Sequence, residues 1–393
     1  MMDPKSGLTK FRAVLAAQAM DADADFGAEP QFGAVAADLA SSIAIVRDEE
    51  EIFARLWREH SISTVEEVIG LAVASAGGEA QVTVAAQTGL RQATVDLLVE
   101  RFGSTPDGEA ELADWSRYGA FRYETGYPLD DDADPGPGLP FGTMEAASGD
   151  SSPIPITPPP PAATVVSLID EHISPIRLQA DRGTCTAFAG LAALEYHLHR
   201  FGGFPGTDFS EQFAYWNMTN TSPRRNLIAM FGGLHDQGVC SERTWPYNGT
   251  PDESNDGQGP PPPNAVAEAM AFRAQVVKQV PARSVDEIRR AISQCRVVAV
   301  GIPVFDSWYR SPVVRKYGNI TVPFADEQPH QVGHAIALVG YEDNPDFAGG
   351  GYFIVRNSWG ALFGTASVLG PGYGTIPYRY IERHNKDAWY VAA

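Results

Sequence analysis

Three side chains of this sequence have the chemical types and the settings that thiol catalysis requires. Cys185 stands where Gly183-Thr184 gives way to Ala187, Phe188, Leu191, Ala192 and Leu194 at helical spacing, so its sulfur is expected at the partially positive start of a helix. A thiolate is the attacking species, and it needs a neighbouring base that later serves as acid for the leaving group. Among eight histidines, His334 opens an apolar run behind Gly333, a position from which a ring can project into a cleft. Asn357 follows another such run and is succeeded by Ser358-Trp359-Gly360. An amide that accepts the ring N–H fixes the tautomer and orientation of the imidazole, and Trp359 is placed to shield that bond from water. The assignment demands that the three groups meet across a groove that solvent can enter.

A cysteine at a helix start is more often a small buried hydrophobe than a nucleophile. Cys240 and Cys295 are read in that way, as buried thiols in core positions. His330 and His334 stand four apart, but no cysteine or carboxylate cluster supports a metal pair. Neither a metal nor another cofactor is expected.

The elements that must position these groups follow from composition and periodicity. The 393 residues carry a formal net charge of -20, and residues 1–165 hold 27 of the 49 acidic side chains against 10 of the 29 basic ones. That balance disfavours nucleic acid and anionic membrane surfaces as partners, and no run of eighteen apolar residues offers a membrane-spanning helix. Lys5, Lys10 and Arg12 before Ala13-Val14-Leu15-Ala16-Ala17 imitate a secretory leader, but the apolar stretch is short and Asp21, Asp23 and Asp25 follow it, so none is expected. Three cysteines do not make a disulfide framework, and they point to a reducing, cytoplasmic setting.

Residues 1–30 are rich in Ala and Asp and read as a flexible start. Residues 31–130 read as a helical domain. Val35, Leu39, Ile43, Val46, Ile52, Phe53, Leu56 and Trp57 recur at helical spacing, and Ser63 stands three residues before Glu66, the capping-box spacing, for a further helix that Gly77-Gly78 ends. Ala85, Gly89 and Val95 have the spacing of a helix-turn-helix module, with Thr94-Val95 on the would-be recognition helix. In so acidic a region the expectation is a helical hairpin with a small core, not a DNA contact. Residues 131–163 are an extended Pro-rich linker. In residues 164–393 a helical stretch precedes short buried strands at Val297–Ile302, Ala335–Tyr341 and Gly351–Val355, with Pro260–Pro263 marking a surface loop between the two parts. The fold class is therefore α+β, with a mainly α-helical N-terminal domain ahead of a two-lobed one.

Five blocks of residues 165–393 occur in a telling order. Gln179 precedes Cys185 by six positions; Phe209-Ser210-Glu211-Gln212 follows; then Gly238-Val239-Cys240-Ser241-Glu242 with Trp245-Pro246-Tyr247; then Gly333-His334-Ala335; then Arg356-Asn357-Ser358-Trp359-Gly360. Together they resemble the papain-like cysteine peptidases, and Gly372-Tyr373-Gly374 with Ile376-Pro377-Tyr378 resembles the closing hairpin of bacterial members. The resemblance implies a helical lobe and a β-barrel-like lobe with a cleft between them, and peptide-bond hydrolysis through an acyl-enzyme. It implies that Gln179 and the backbone N–H of Cys185 form an oxyanion hole, where such donors lower a barrier by about 3–4 kcal/mol each, and that Gly333 and Trp359 support substrate binding. Arg182 stands where many relatives have a disulfide-forming cysteine, and Thr186 where a tryptophan is usual, as in a bacterial branch without that bridge. Where the family pairs a double glycine with substrate, this chain has Pro223-Arg224-Arg225-Asn226, while Gly232-Gly233 lie too near Gly238.

The expected activity is hydrolysis of a peptide or protein substrate, with the N-terminal region either blocking the cleft as an inhibitory pro-segment or binding a partner. Two alternatives use the same residues: a peptide-binding module that has lost catalysis, and acyl transfer to an amine.

Overall fold

The computed structural model describes residues 50–62, 65–76, 84–103, 125–129, 163–221, 225–250, 259–345 and 347–392. The expected flexible start at 1–30, the Pro-rich linker up to residue 162, and the proposed helix boundaries at Ser63 and Gly77-Gly78 lie outside those residues. Four helices open the described chain: α1 (Glu50–His60), α2 (Val65–Ala76), α3 (Val84–Thr88) and α4 (Gln92–Gly103). Gly89, at φ 79°, turns α3 into α4, a conformation that glycine adopts without steric cost. Leu56, Val68, Ile69, Val84, Leu90, Val95 and Leu98 form a small core. Thr94 and Val95 are buried, so α4 has no base-reading face at those positions. The segment is the expected helical hairpin.

That core is completed by Val313 and Phe324 of the C-terminal part. The His60 ring donates from Nδ1 to the Val322 carbonyl at 2.8 Å, Val322 N–H donates to the His60 carbonyl at 3.0 Å, and Ala348 N–H donates to Ser61 Oγ at 3.0 Å. Gly70 lets α2 approach closely, since a Cβ there would lie 2.6 Å from Val313 Cγ2.

The C-terminal part is built around α5 (Cys185–Arg200). Its sequence is apolar round nearly the whole circumference, which suits a helix enclosed on all sides, and every residue but Arg200 is buried. Helices α6 (Glu211–Thr221) and α7 (Leu227–Asp236) pack on one side of it. On the other stands an antiparallel sheet in the order β3 (Val276–Val280), β8 (Asp387–Ala392), β4 (Val298–Ile302), β5 (Val332–Asp343), β6 (Gly351–Arg356), β7 (Tyr373–Pro377). Two short strands, β1 (Tyr127–Pro128) and β2 (Val165–Ser167), pair with opposite ends of β5. Helix α8 (Val285–Ser293) packs on β5 and β4, α9 (Pro312–Tyr317) on α2, and α10 (Tyr378–His384) on β6 and β7. Pro260–Pro263 are half-buried or exposed, between α7 and β3.

The expected closing hairpin at Gly372–Tyr378 needs correction. Tyr373–Pro377 is a strand on β6, but Pro377, with no N–H to give a ladder, ends it. The chain then turns through α10 and returns as β8 to the middle of the sheet.

Candidate active site

Cys185 is the first residue of α5, and its sulfur lies against the backbone of Ala335 and of Gly126 and beside Thr186. Ala335 follows His334 on β5, so the neighbours of the thiol and of the imidazole are one residue apart. His334 is fixed by pairing with Ile302 of β4. Its Nε2–H donates to Asn357 Oδ1 at 2.9 Å; because a neutral imidazole has one donor and one acceptor nitrogen, Nδ1 is then the free base. That atom has no hydrogen-bond partner.

Asn357 is held in turn. Its N–H donates to the Gly372 carbonyl at 3.0 Å, and its Oδ1 also accepts from Ser358 N–H at 2.8 Å. Trp359 stacks on the His334 ring with centroids 4.8 Å apart and planes 27° from parallel, and Trp308 backs it at 6.0 Å. Gln179 donates from Nε2 to the Arg182 carbonyl at 2.7 Å, accepts from Ser358 Oγ at 2.6 Å, and donates its backbone N–H to the Ser358 carbonyl at 2.8 Å. His334, Asn357, Gln179 and Trp359 are thus joined through Ser358 and the indole stack, and Cys185 meets the backbone of Ala335, the residue after His334, with Gly333 before it on β5.

Sequence reading missed what holds these segments. Arg177, two residues before Gln179, bridges Glu195 of α5 at 2.8 Å, Glu211 of α6 at 2.5 Å and Asp208. Arg356, beside Asn357, donates to the Pro175 carbonyl at 2.6 Å and to Ser174 Oγ at 3.3 Å, and Ser174 donates to Glu195 at 2.5 Å. A buried charged network of this kind is expensive to break, because removing one member strands the others. The signal was present: Glu195 is an acid inside an otherwise apolar helix, a placement that calls for a cationic partner.

Arg182 works as a tie. Its Nη1 donates to Gln212 Oε1 and to the Asn248 carbonyl, both at 2.7 Å, and its guanidinium lies 5.2 Å from the ring centres of Tyr215 and Tyr247. All three cysteines are free. Cys240 is buried, and burial pushes its thiol up to about 12. Cys295 is only half-buried and has φ 58°, which corrects its expected core placement: it lies in the turn after α8. Gly232 and Gly233 are inside α7, where their backbone is committed to the helix and not to a bound peptide. At the place expected for a double glycine, the Arg225 carbonyl accepts from Thr186 Oγ1 at 3.0 Å.

The expectation that solvent enters the groove is overturned. Cys185, His334, Gln179 and Trp359 have no exposed surface, and the reason is the chain's own segment 125–129. Tyr127 pairs with Gly333 and Pro128 with Val332, and Gly126 crosses Gly183 so closely that a Cβ on it would lie 2.0 Å from the Gly183 carbonyl oxygen. Leu129 covers Gly333. Under this cover burial pushes the Cys185 thiol up and the His334 ring down to about 4. Burial thus works against the thiolate expected from the sequence, because it disfavours the charged form of both groups.

Comparison with known proteins places this geometry. The family model described as "Papain family cysteine protease" matches residues 165–373. The thiol protease aleurain of Arabidopsis thaliana is 27% identical over 206 residues, 50% of this chain and 51% of that protein. Cathepsin L of Sarcophaga peregrina is 27% identical over 224 residues, 54% of this chain and 60% of that protein. An uncharacterized peptidase C1-like protein of Acanthamoeba polyphaga mimivirus is 27% identical over 231 residues, 54% of this chain and 68% of that protein. The matches therefore span about half to two thirds of these relatives. Among solved structures, xylellain, a cysteine protease from Xylella fastidiosa, superposes with a TM-score of 0.50 at 23% identity, over 58% of this chain and 87% of that one.

Proposed function

Because the chain belongs to the papain family of cysteine proteases, we propose that it hydrolyses peptide bonds with Cys185 as nucleophile, His334 as base and acid, and Asn357 as the residue that orients the imidazole. The observation that carries this reading is the His334–Asn357 hydrogen bond at 2.9 Å, shielded by Trp359, on a ring whose Nδ1 is left free beside the Cys185 sulfur's own neighbour, Ala335. In the first half-reaction His334 Nδ1 takes the thiol proton while sulfur bonds to the substrate carbonyl carbon. The oxyanion is met by the Cys185 N–H and the Gln179 side-chain amide. Collapse breaks the C–N bond, and the imidazolium returns its proton to the leaving amine, which leaves a thioester. Water, deprotonated by the same nitrogen, releases the acid and restores the thiol.

Residues 125–129 act in this reading as an intramolecular inhibitor, held over the site by pairing with β5 while the N-terminal helices share a core with α9. Substrate reaches the sulfur when the strand lifts or is cut. The three free thiols and the arginine tie at position 182 support a reducing, cytoplasmic setting.

A labelled epoxysuccinyl reagent tests the chemistry. Once limited proteolysis has released the covering strand, it should modify Cys185 and leave a Cys185→Ser variant treated in the same way untouched. Absence of labelling after the covering strand has been released by limited proteolysis would refute the catalytic assignment in favour of a peptide-binding module.

A further inference from the structure

The seam between the N-terminal helices and the rest of the chain is separate from the strand that covers the groove. Val313 and Phe324 are buried in the small core of α1–α4, whereas Tyr127 of the cover belongs to the main core together with Val314. Helix α9 therefore lies between two apolar clusters, with Val313 in one and Val314 in the other. The seam is fitted in shape and in hydrogen bonding. A Cβ on Gly70 of α2 would lie 2.6 Å from Val313 Cγ2 and 3.3 Å from Ser311 Oγ. The His60 ring lies on Phe324 with centroids 4.3 Å apart, and His60 exchanges two hydrogen bonds with Val322, which has no exposed surface. Lifting the helices away would turn Val313, Val322 and Phe324 out to water together. It would also take from α1–α4 the two side chains that complete their core, and a piece of that size has little core to spare.

What the helices hold reaches the site. Besides α9, α2 packs on the single helical turn Asp306–Tyr309. Arg315 of α9 fastens that turn, donating to the Tyr309 carbonyl from Nε at 3.2 Å and from Nη2 at 3.0 Å. Trp308 stacks behind Trp359, Tyr309 meets the same indole edge to face with centroids 5.7 Å apart, and Trp359 lies on the His334 ring. A continuous line of packed groups thus runs from α2 through Trp308 and Tyr309 to the imidazole. We infer that α1–α4 are a permanent part of the working protein and not an inhibitor to be shed: they stay bound as a separate fragment when the cover is cut away, and they position the aromatic backing of His334. The two N-terminal elements then act in opposite senses, the strand at 125–129 closing the groove and the helices supporting the chemistry beneath it. The part of the inference that concerns catalysis rests on the reading of the groove as a peptidase site.

The experiment uses the full chain with Gly126→Ala, which loosens the cover, and with recognition sequences for a site-specific protease inserted between Asp107 and Gly108 and between Gly149 and Asp150. Cutting at both frees the piece that carries β1. On gel filtration of the cut protein, residues 1–107 should elute with residues 150–393, and an internally quenched peptide should be cleaved. Elution of 1–107 apart from a fully active 150–393 overturns the inference, and this arm needs no substitution in the helices. Gly70→Val wedges α2 off Val313. A displacement of about 1 Å near reacting groups costs about a hundredfold in rate, so kcat of the cut Gly70→Val chain should fall at least about tenfold with KM little changed. Adding Val313→Ala, which makes room for the new side chain, should restore most of it. An unchanged kcat in Gly70→Val, or a loss that Val313→Ala does not relieve, overturns the positioning role. A cut chain that keeps 1–107 bound but cleaves no peptide and takes no epoxysuccinyl label at Cys185 sinks the peptidase reading and leaves the attachment standing.

Discussion

Replacing Gly126 by alanine puts a methyl group 2.0 Å from the Gly183 carbonyl oxygen and 2.4 Å from its carbon. Both are backbone atoms that cannot swing aside as a flexible side chain would, and overpacking of this kind costs about 1–3 kcal/mol or more. The strand must rise to relieve it. A gentler perturbation reads the same equilibrium: Tyr127→Phe removes one hydrogen bond, the one to Asp387 at 2.5 Å. A bond to a charged acceptor contributes about 1.5–3 kcal/mol, and each 1.36 kcal/mol is a factor of ten, so the lifted form should become about ten- to a hundredfold more populated. The rate at which dilute iodoacetamide alkylates Cys185, followed by mass mapping, measures that population when lifting and reseating are faster than alkylation. Tyr127→Phe should raise the rate by that factor, and Gly126→Ala by at least as much. Cys240 and Cys295, which the strand does not touch, are internal standards and should react at unchanged rates. Since burial raises the Cys185 thiol, the midpoint of its pH–rate curve should also fall in Gly126→Ala. If both variants stay folded and alkylate at the rate of the parent chain, the strand is not what closes the groove.

Asn357→Ala leaves the His334 Nε2–H without its acceptor, and kcat for a peptide cleaved by an unsealed chain should fall by about a hundredfold or more with little change in KM. Arg182→Met removes donors to Gln212 and Asn248 and should lower unfolding free energy in urea by roughly 2–4 kcal/mol, whereas a thiol reductant should leave the melting temperature unchanged, because no disulfide exists to reduce. Asp387 has a folded value raised to about 6 from 3.8, so folding favours its protonated form; the resulting penalty is absent below about pH 4 and reaches at most about 3 kcal/mol above pH 6. Asp387→Asn should therefore stabilise the chain at pH 7.5 and not at pH 4, and an equal gain at both would show that burial of charge is not the cause.

The candidate site residues were legible because each chemical demand leaves a local mark: a cysteine at a helix start, a histidine opening a strand, an amide and an indole after another strand. The strands at Val298–Ile302 and Gly351–Arg356 were legible for a related reason, since strands buried on both faces are written as unbroken apolar runs. What escaped is non-local. Nothing around Thr125–Leu129 marks a strand, as a two-residue ladder has no periodicity to detect, and its partner Gly333 is more than two hundred positions away. Asp387 stands beside Lys386 in the sequence, and only the pairing of β8 with β4 sets it against Gly301. The arginine network was half visible, because Glu195 in an apolar helix announces a buried charge but cannot say which cation answers it.

The cover acts on the chemistry twice. It occupies space, and by removing water it changes the protons: burial takes His334 down to about 4 and pushes the Cys185 thiol up, both shifts in favour of the neutral group. An ion pair between them would need both charges paid for in a dry site. Once the strand lifts, water solvates both groups, the start of α5 favours the anion, and the imidazole regains its ordinary basicity with Asn357 already holding its other nitrogen. The His334–Asn357 hydrogen bond and the Trp359 stack are therefore already formed under the cover, and what opening supplies is solvent and room. On this account an unsealed chain needs no rearrangement of His334, Asn357 or Trp359 to become active, and the ring stacking of Trp359 on His334 should be the same in sealed and unsealed structures.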